Sequence, residues 1–245
     1  MKGKVAGNVQ KIGVPSMIGL TRMTLPKRLY QQIADQVRQL IQSGPYPAGS
    51  RLPPERELAQ TLGVSRPSLR EALIALEIDG TIEIRMGSGI YVLSTARSPA
   101  TARSLGESPT ELMQARAVIE SAVIVRAAAA MTQDTLETLG GIVESMRRDI
   151  AEGRKPLDQD RLFHLTIAEQ AGNSVLAEIV ANLFDERHSP MSDRMRGRFE
   201  TPETWLHALQ EHEAILGALE AQDPLAAQAT MHAHLTASRR RWLEN

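Results

Sequence analysis

The 245-residue sequence contains no cysteine, which excludes disulfides, thiolate zinc fingers, iron–sulfur sites and cysteine nucleophiles. Aromatic residues make up only 3% of the chain, so its cores must be built from aliphatic residues, Ala and Met. No apolar run approaches the roughly 18–20 residues that a membrane span needs. The apolar patch at 14–20 is interrupted by Pro15 and Gly19, unlike a secretory signal. We therefore expect a cytoplasmic protein with no membrane partner.

Charge is divided unevenly along the chain although the net charge is only −1. Residues 1–95 carry 12 Lys and Arg against 7 Asp and Glu, whereas residues 96–245 carry 16 against 22. A basic first segment favours contact with a polyanion such as nucleic acid. The two halves are therefore expected to do different work, with DNA binding assigned to the first.

Apolar periodicity and turn signals predict the order of elements. The first part of the chain is predicted to form a winged helix-turn-helix. Its elements are a helix over 25–43, a second helix opened by Pro53 and Pro54, a third helix capped by Ser65, and strands over 81–85 and 89–93. Beyond residue 108 only helical patterns occur, over 109–131, 133–152, 157–171, 174–188, 202–222 and 224–243, with 189–200 the least regular part. The predicted fold is mainly α, with an N-terminal winged helix-turn-helix and a C-terminal all-helical antiparallel bundle. The domain bounds are a flexible extension at 1–22, the DNA-binding domain at 23–94, a linker at 95–108 rich in Ser, Ala, Thr and Pro, and the helical domain at 109–245.

The third helix would enter the major groove by its N-terminal end, which carries Ser65, Arg66, Ser68 and Arg70. The planar fork of arginine suits both guanine and phosphate. The alternative is that these arginines are solvated surface charges.

Four stretches of this segment closely resemble the GntR family of regulators: PAGSRLPPERELA at 47–59, LGVSRPSLREAL at 62–73, LEIDG at 76–80 and GSGIYV at 87–92. The resemblance implies an operator-binding protein, and a homodimer is expected because one helix-turn-helix reads too few base pairs to be selective. It also implies which residues touch DNA: Arg56, Ser65, Arg66, Ser68 and Arg70 at the operator, Arg85, Met86 and Gly87 in the wing, and Arg51 at a phosphate.

Helical spacing sorts the six histidines. Asp160 and His164 lie at i,i+4 on a face that continues into apolar residues, and His212 and His234 also fall on apolar stripes. Three imidazoles and one carboxylate that meet in one core suit a divalent metal with open coordination positions. The alternative is that each histidine is an ordinary interior residue with its own hydrogen bonds.

The residues around these four resemble the helical effector domain of the FadR branch of GntR regulators, whose metal-binding members use the same positions as ligands. The resemblance implies one divalent ion per chain, with zinc favoured and nickel or manganese compatible. Members that sense long acyl-CoA lack this set, so the chain departs from them.

Arg116 lies between apolar residues at helical spacing, so its guanidinium is expected to point inward. Either Glu120 at i+4 neutralises it or it awaits an anion. In related effector domains an arginine of this helix faces the ligand carboxylate, which makes Arg116 the predicted effector-binding residue. Trp205 is interpreted as a core residue. Four further arginines are interpreted as solvated loop charges: Arg187, Arg194, Arg196 and Arg198.

These observations predict a regulator, not an enzyme: a homodimeric repressor that binds a palindromic operator and leaves it when a small organic acid binds. Stretches at 72–80, 87–93, 112–116 and 189–191 resemble regulators of hexuronate and aldarate catabolism. A sensor of lactate, gluconate or a dicarboxylate remains an alternative. Two other classes are a metal-dependent hydrolase and an architectural DNA-binding protein whose helical domain only dimerises.

Overall fold

The computed structural model describes residues 28–94 and 105–243. The predicted extension at 1–22 and residues 95–104 of the predicted linker lie outside them. The N-terminal domain comprises α1 (Leu29–Ser43), α2 (Glu55–Leu62), α3 (Arg66–Ile78), β1 (Ile82–Arg85) and β2 (Gly89–Val92). The C-terminal domain comprises α4 (Pro109–Ala129), α5 (Gln133–Ala151), α6 (Leu157–Gln170), α7 (Ser174–Asp185), a 3-10 turn (Glu186–His188), α8 (Pro190–Phe199), α9 (Pro202–Glu220) and α10 (Pro224–Leu243).

The order of elements in the N-terminal domain confirms the winged helix-turn-helix. Gly63 ends α2 in a left-handed conformation (φ 65°), a position that favours glycine. Ser65 then caps α3 by accepting a hydrogen bond from the backbone N–H of Ser68 at 3.2 Å. Strands β1 and β2 pair antiparallel from Ile82↔Val92 to Arg85↔Gly89 and form the wing.

The C-terminal domain is a helical bundle around α4. Helix α4 packs along α10 and also contacts α6 and α7. Its starting residue is set by Ser108, whose side chain accepts from the backbone N–H of Glu111, with Pro109 in the first turn. In the described residues, none of the helices combines the length and the apolarity that crossing a membrane requires.

The prediction of an irregular segment over 189–200 is wrong, because residues 190–199 form α8. Ser189 caps this helix, and Pro190 occupies its first turn. Met191 and Met195, four residues apart, are fully buried. These two methionines provide an apolar face that the many charged neighbours obscured in the sequence.

Helix α8 joins the two domains through Glu77 of α3. Glu77 accepts hydrogen bonds from Arg194 Nε at 2.9 Å and from Arg198 Nη2 at 2.6 and 2.7 Å. Burial alone would raise the pKa of Glu77, but the bond from Arg194, the bond from the Ile84 N–H and the charge of Arg198 outweigh it and lower the pKa. The contact is therefore made by an ionised carboxylate.

Residues 105–108, the end of the predicted linker, pack between the domains. Tyr30 of α1 donates a hydrogen bond to the Gly106 carbonyl at 3.1 Å. Glu71 of α3 accepts from the Ser108 hydroxyl at 2.8 Å and from the Thr110 N–H at 2.8 Å. Tyr30 also belongs to the same buried apolar cluster as the bundle, so the two domains share part of one core.

We predict that Glu77→Ala destabilises the docked arrangement by about 1–3 kcal/mol, because two guanidinium groups lose a shared buried acceptor. The folded-state pKa of Glu77 is lowered, so its contribution is present at neutral pH and is lost as the pH falls through the acid range. Thermal unfolding followed by circular dichroism at pH 7 and at acidic pH measures both effects.

Glu83→Ala is the matched control, because Glu83 is an exposed glutamate that pairs with Arg85 on the same strand. Equal shifts in melting temperature for the two variants at pH 7 would contradict a stabilising role of the Glu77 contact.

Candidate metal centre and effector cavity

Three helices bring the four predicted metal ligands together. Asp160 and His164 lie on α6, His212 lies on α9 and His234 lies on α10. One ligand atom from each residue lies within 4.8 Å of the others. The imidazoles are buried and the carboxylate is partly buried. The rings of His212 and His234 have centroids 4.4 Å apart. The structure therefore groups all four side chains that helical spacing had placed inward.

Each of the three imidazoles presents its Nδ1 to an oxygen acceptor outside the cluster. The acceptors are Glu120 Oε2 at 2.5 Å from His164, the Ala208 carbonyl at 2.7 Å from His212, and Glu211 Oε2 at 2.8 Å from His234. Because these oxygens are acceptors, each neutral imidazole carries its proton on Nδ1 and donates it outward. This arrangement fixes the tautomer in which Nε2 is the free ligand atom.

The Nε2 atoms of His164 and His212 are buried and have no hydrogen-bond partner. Asp160 Oδ1 lies 3.1 Å from His212 Nε2 and 3.7 Å from His164 Nε2. The lone pairs of this carboxylate oxygen therefore face the lone pairs of two unprotonated nitrogens, with no proton between them. This donor set fits a divalent cation.

Burial favours the neutral form of His164 and His234, which is the form that ligates metal. Burial and the neighbouring His212 lower the pKa of His234 to about 3, and burial lowers the pKa of His164. Burial alone would raise the pKa of Asp160, but the positive charge of Arg187 outweighs it, so this pKa lies well below its usual value.

Arg116 is paired and yet keeps one free donor. Its Nε donates to Glu120 Oε1 at 2.6 Å, while its Nη2 is buried without a partner. The guanidinium, 1% exposed, lies over the Phe184 ring at 4.1 Å from the centroid. Burial alone would raise the pKa of Glu120, but Arg116 and His164 outweigh it and lower the pKa to about 2. Both readings of Arg116 thus have support: Glu120 neutralises the charge, and Nη2 is left to bind another group.

One cavity joins these groups. It is lined by Arg116, Met146, Ile150, Pro156, Leu157, Asp160, Arg187, Glu200, Thr204, Trp205, Ala208, Leu209, His212, His234, Ser238, Arg241 and Trp242. Trp205, which the sequence assigned to the core, lines this cavity instead. Its indole Nε1 is buried without a hydrogen-bond partner.

The interpretation of four arginines as solvated loop charges is also wrong for Arg187 and Arg196, which are buried. Arg187 Nη1 donates to Asp160 Oδ2. Arg196 Nη1 donates to the Arg187 carbonyl at 2.5 Å. The reason is that the 3-10 turn and α8 pack against the rest of the domain, so Arg187 becomes part of the cavity wall and Arg196 is buried behind it. Arg194 and Arg198 pair with Glu77.

Buried polar atoms without a partner are concentrated at this cavity. Seven such side-chain atoms occur in the described residues, and six of them belong to the metal cluster or to the cavity lining: Arg116 Nη2, His164 Nε2, Arg187 Nε, Glu200 Oε2, Trp205 Nε1 and His212 Nε2. Each unsatisfied buried group costs about 1–3 kcal/mol. Their collection in one place is typical of a binding site for a metal and a polar ligand.

In the N-terminal domain, the residues predicted to contact DNA differ in their exposure to solvent. Arg56, Ser65, Arg66, Arg85 and Gly87 are exposed, and Met86 at the wing tip is 76% exposed. The side chain of Arg66 is 61% exposed. Arg70 is only 8% exposed; its Nη2 donates to Glu55 at 3.1 Å, and its guanidinium lies 5.3 Å from the centroid of Phe199.

Comparison with known families assigns both domains. Residues 29–92 match the model of bacterial regulatory proteins of the gntR family, and residues 111–237 match the FCD domain model. The chain belongs to the GntR family.

Among curated relatives, the Uxu operon transcriptional regulator of Escherichia coli K12 is 36% identical over 229 residues, covering 90% of this chain and 89% of the relative. The Exu regulon transcriptional regulator of the same organism is 37% identical over 221 residues, covering 87% and 84%. A solved structure of Lar, which controls expression of the Listeria monocytogenes agr system, shares the fold at 20% identity with a TM-score of 0.51 and covers 89% of this chain and 98% of that one.

These relatives are transcriptional regulators, as is the family. The chain is therefore a GntR-type, ligand-responsive DNA-binding regulator and not an enzyme, which rules out the hydrolase. Four residues that matter to the site were not assigned a role in it from the sequence: Arg187, Glu200, Trp205 and Glu211. Glu211 precedes His212 directly, but nothing in the spacing indicates that it contacts His234 on another helix.

Proposed function

We propose that the chain is a homodimeric repressor that binds a palindromic operator and releases it when a sugar acid of the hexuronate or aldarate class enters the metal-containing cavity. The observation that carries this proposal is the concentration of unpartnered buried donors and lone pairs in the cavity. Such atoms are costly unless a ligand satisfies them.

The metal would be held by Asp160, His164, His212 and His234, one ion per chain. The buried imidazoles and the single carboxylate favour zinc, with nickel or manganese compatible. A bound divalent ion supplies open coordination positions for the oxygens of a carboxylate. Glu120 and Glu211 would orient His164 and His234 from outside the ligand set.

The effector would be a small anion, because Arg116 Nη2 is a buried, unpartnered cationic donor beside the metal cluster. A guanidinium and a metal together favour a carboxylate with an adjacent hydroxyl. A long acyl chain would leave both unsatisfied. The resemblance to the Uxu and Exu regulators supports a sugar acid over lactate or a simple dicarboxylate.

Operator contact is assigned to the exposed end of α3 and to the wing: Arg56, Ser65, Arg66, Ser68, Arg70, Arg85 and Gly87. A single helix-turn-helix reads few base pairs, so a homodimer on two half-sites provides the needed selectivity.

We predict that Arg66→Ala weakens operator binding by about 1–3 kcal/mol, because an exposed guanidinium at the start of α3 is lost. The operator is first selected from a random duplex library by the wild-type protein, and affinity is then measured by fluorescence anisotropy at one salt concentration. Arg147→Ala, an exposed arginine of α5, is the control. Unchanged affinity for a folded Arg66→Ala protein would contradict the assigned contact.

A second prediction concerns the metal. Purified protein should contain close to one divalent ion per chain by mass spectrometry, and His164→Ala, His212→Ala and His234→Ala should each lower that content. His188→Ala and His232→Ala should not, because both residues are exposed. Chelation should lower the melting temperature of the wild type, since an ion that binds only the folded state stabilises it. Equal metal content in the wild type and the triple variant would exclude the site.

A third prediction tests the effector. D-glucuronate should weaken operator binding of the metal-loaded wild type by about 10-fold or more, a coupling of about 1.4 kcal/mol. Arg116→Lys keeps a cation beside Glu120 but loses the planar fork, so it should lose the response and keep its affinity for DNA without ligand.

Arg126→Lys, an exposed change on the same helix, should respond like the wild type. A response to acyl-CoA or to an amine, with none to any hydroxy acid, would contradict the proposed effector class.

A further inference from the structure

Two of the unpartnered atoms, Glu200 Oε2 and Trp205 Nε1, lie away from the metal ligands along the chain. Glu200 follows the last residue of α8, and Trp205 lies in the first turn of α9. Trp205 and His212 are seven residues apart on the same helix, which corresponds to about 10 Å along its axis. Both Glu200 and Trp205 line the cavity that contains Arg116, His212 and His234. The cavity therefore has a second polar region beyond the metal cluster.

The chemistry of this second region differs from that of the first. Glu200, with a side chain only 10% exposed, offers a carboxylate oxygen, which accepts hydrogen bonds. The Lys155 ammonium lies 3.5 Å from that oxygen and balances part of its charge, but the oxygen has no hydrogen bond. Trp205 offers an indole N–H, which only donates. An acceptor and a donor that line the same cavity suit hydroxyl groups, which both donate and accept.

We infer that Glu200 and Trp205 form a subsite that reads the hydroxyl groups at the far end of a six-carbon sugar acid whose carboxylate is bound at the metal cluster. This inference rests on the proposed function and narrows it. A three-carbon hydroxy acid held at the histidines does not reach the subsite. A second carboxylate of the ligand, bound at this subsite, is repelled by the negative charge of Glu200. The subsite therefore selects monocarboxylic sugar acids over aldarates.

The experiment measures binding of three probes to the metal-loaded full chain by calorimetry: D-gluconate, D-glucarate and L-lactate. D-gluconate and D-glucarate share their stereochemistry and differ in the group at the far carbon, a hydroxyl in one and a carboxylate in the other. The wild type should bind D-gluconate at least 10-fold more tightly than either of the others.

Glu200→Gln keeps the size of the side chain but replaces the anionic acceptor with a neutral amide. It should weaken D-gluconate binding about 10-fold, because charge-assisted hydrogen bonds are stronger than neutral ones. The affinity for L-lactate should stay within 2-fold of the wild-type value. The affinity for D-glucarate should be unchanged or higher, because the repulsion between two carboxylates is removed. Trp205→Phe keeps an aromatic ring without the N–H and should weaken D-gluconate about 5-fold or more. Glu203→Gln, a nearby exposed glutamate on α9, is the control and should change nothing.

The outcomes separate this inference from the proposed function. If Glu200→Gln weakens the binding of D-gluconate and of L-lactate equally, Glu200 only shapes the cavity. The proposed subsite is then overturned, while the proposed effector class stands. Tighter binding of D-glucarate than of D-gluconate by the wild type overturns the charge selection and hence the subsite. If D-glucuronate binds the metal-loaded wild type and D-gluconate does not, the subsite fails alone. If D-glucuronate and all three of these acids fail to bind, both the proposed function and the subsite fail.

Discussion

Two carboxylates, the buried Glu120 and the partly buried Asp160, organise the C-terminal domain. A buried charge is tolerated only when it is paired and hydrogen-bonded. Glu120 meets this requirement with Arg116 and His164, which connects α4 to α6. Asp160 meets it with Arg187 and faces His212, which connects α6 to the 3-10 turn and α9. The orientation of His164 and the free donor of Arg116 follow from the pairing of Glu120, so part of the polar cavity is a consequence of how this charge is neutralised.

The same pairings place α8 between the cavity and the DNA-binding domain. Because Arg187 is drawn to Asp160, its carbonyl is available to Arg196 of α8. At the end of this helix, Phe199 lies against Arg70 of α3 and the next residue, Glu200, lines the cavity. Consecutive residues thus touch the recognition helix and the effector site. A tenfold change in operator affinity corresponds to about 1.4 kcal/mol, which is comparable to one buried hydrogen bond of the kind that Glu77 makes.

The spacing of residues along the chain predicted those features that depend on residues close together in the sequence. The i,i+4 pair of Asp160 and His164 and the caps at Ser65 and Ser108 depend on residues within one or two turns, so the helices and the inward direction of the histidines were readable from the sequence. The family resemblance added which of those histidines act together. The roles of Arg187, Glu200 and Trp205 were not predicted because their burial depends on how the 3-10 turn and α8 pack against elements distant in the sequence, such as α3 and α10. Arg196 and its charged neighbours have the composition of a solvated loop, and only the two methionines on the hidden face indicate a packed helix.

The two arginines of α3, Arg66 and Arg70, differ in what a contact with DNA would require of them. The side chain of Arg66 is 61% exposed although its Nε lies 3.6 Å from Glu55 Oε1, so in the proposed operator contact it would mainly exchange water for the new partner. Arg70 is held by Glu55 and Phe199, so a DNA contact must replace interactions that it already makes. Since Phe199 belongs to the segment that also lines the effector cavity, the net gain from Arg70 depends on where that segment lies. Under the proposed operator contacts, Arg70 is therefore the residue whose contribution to DNA binding the C-terminal domain is able to change.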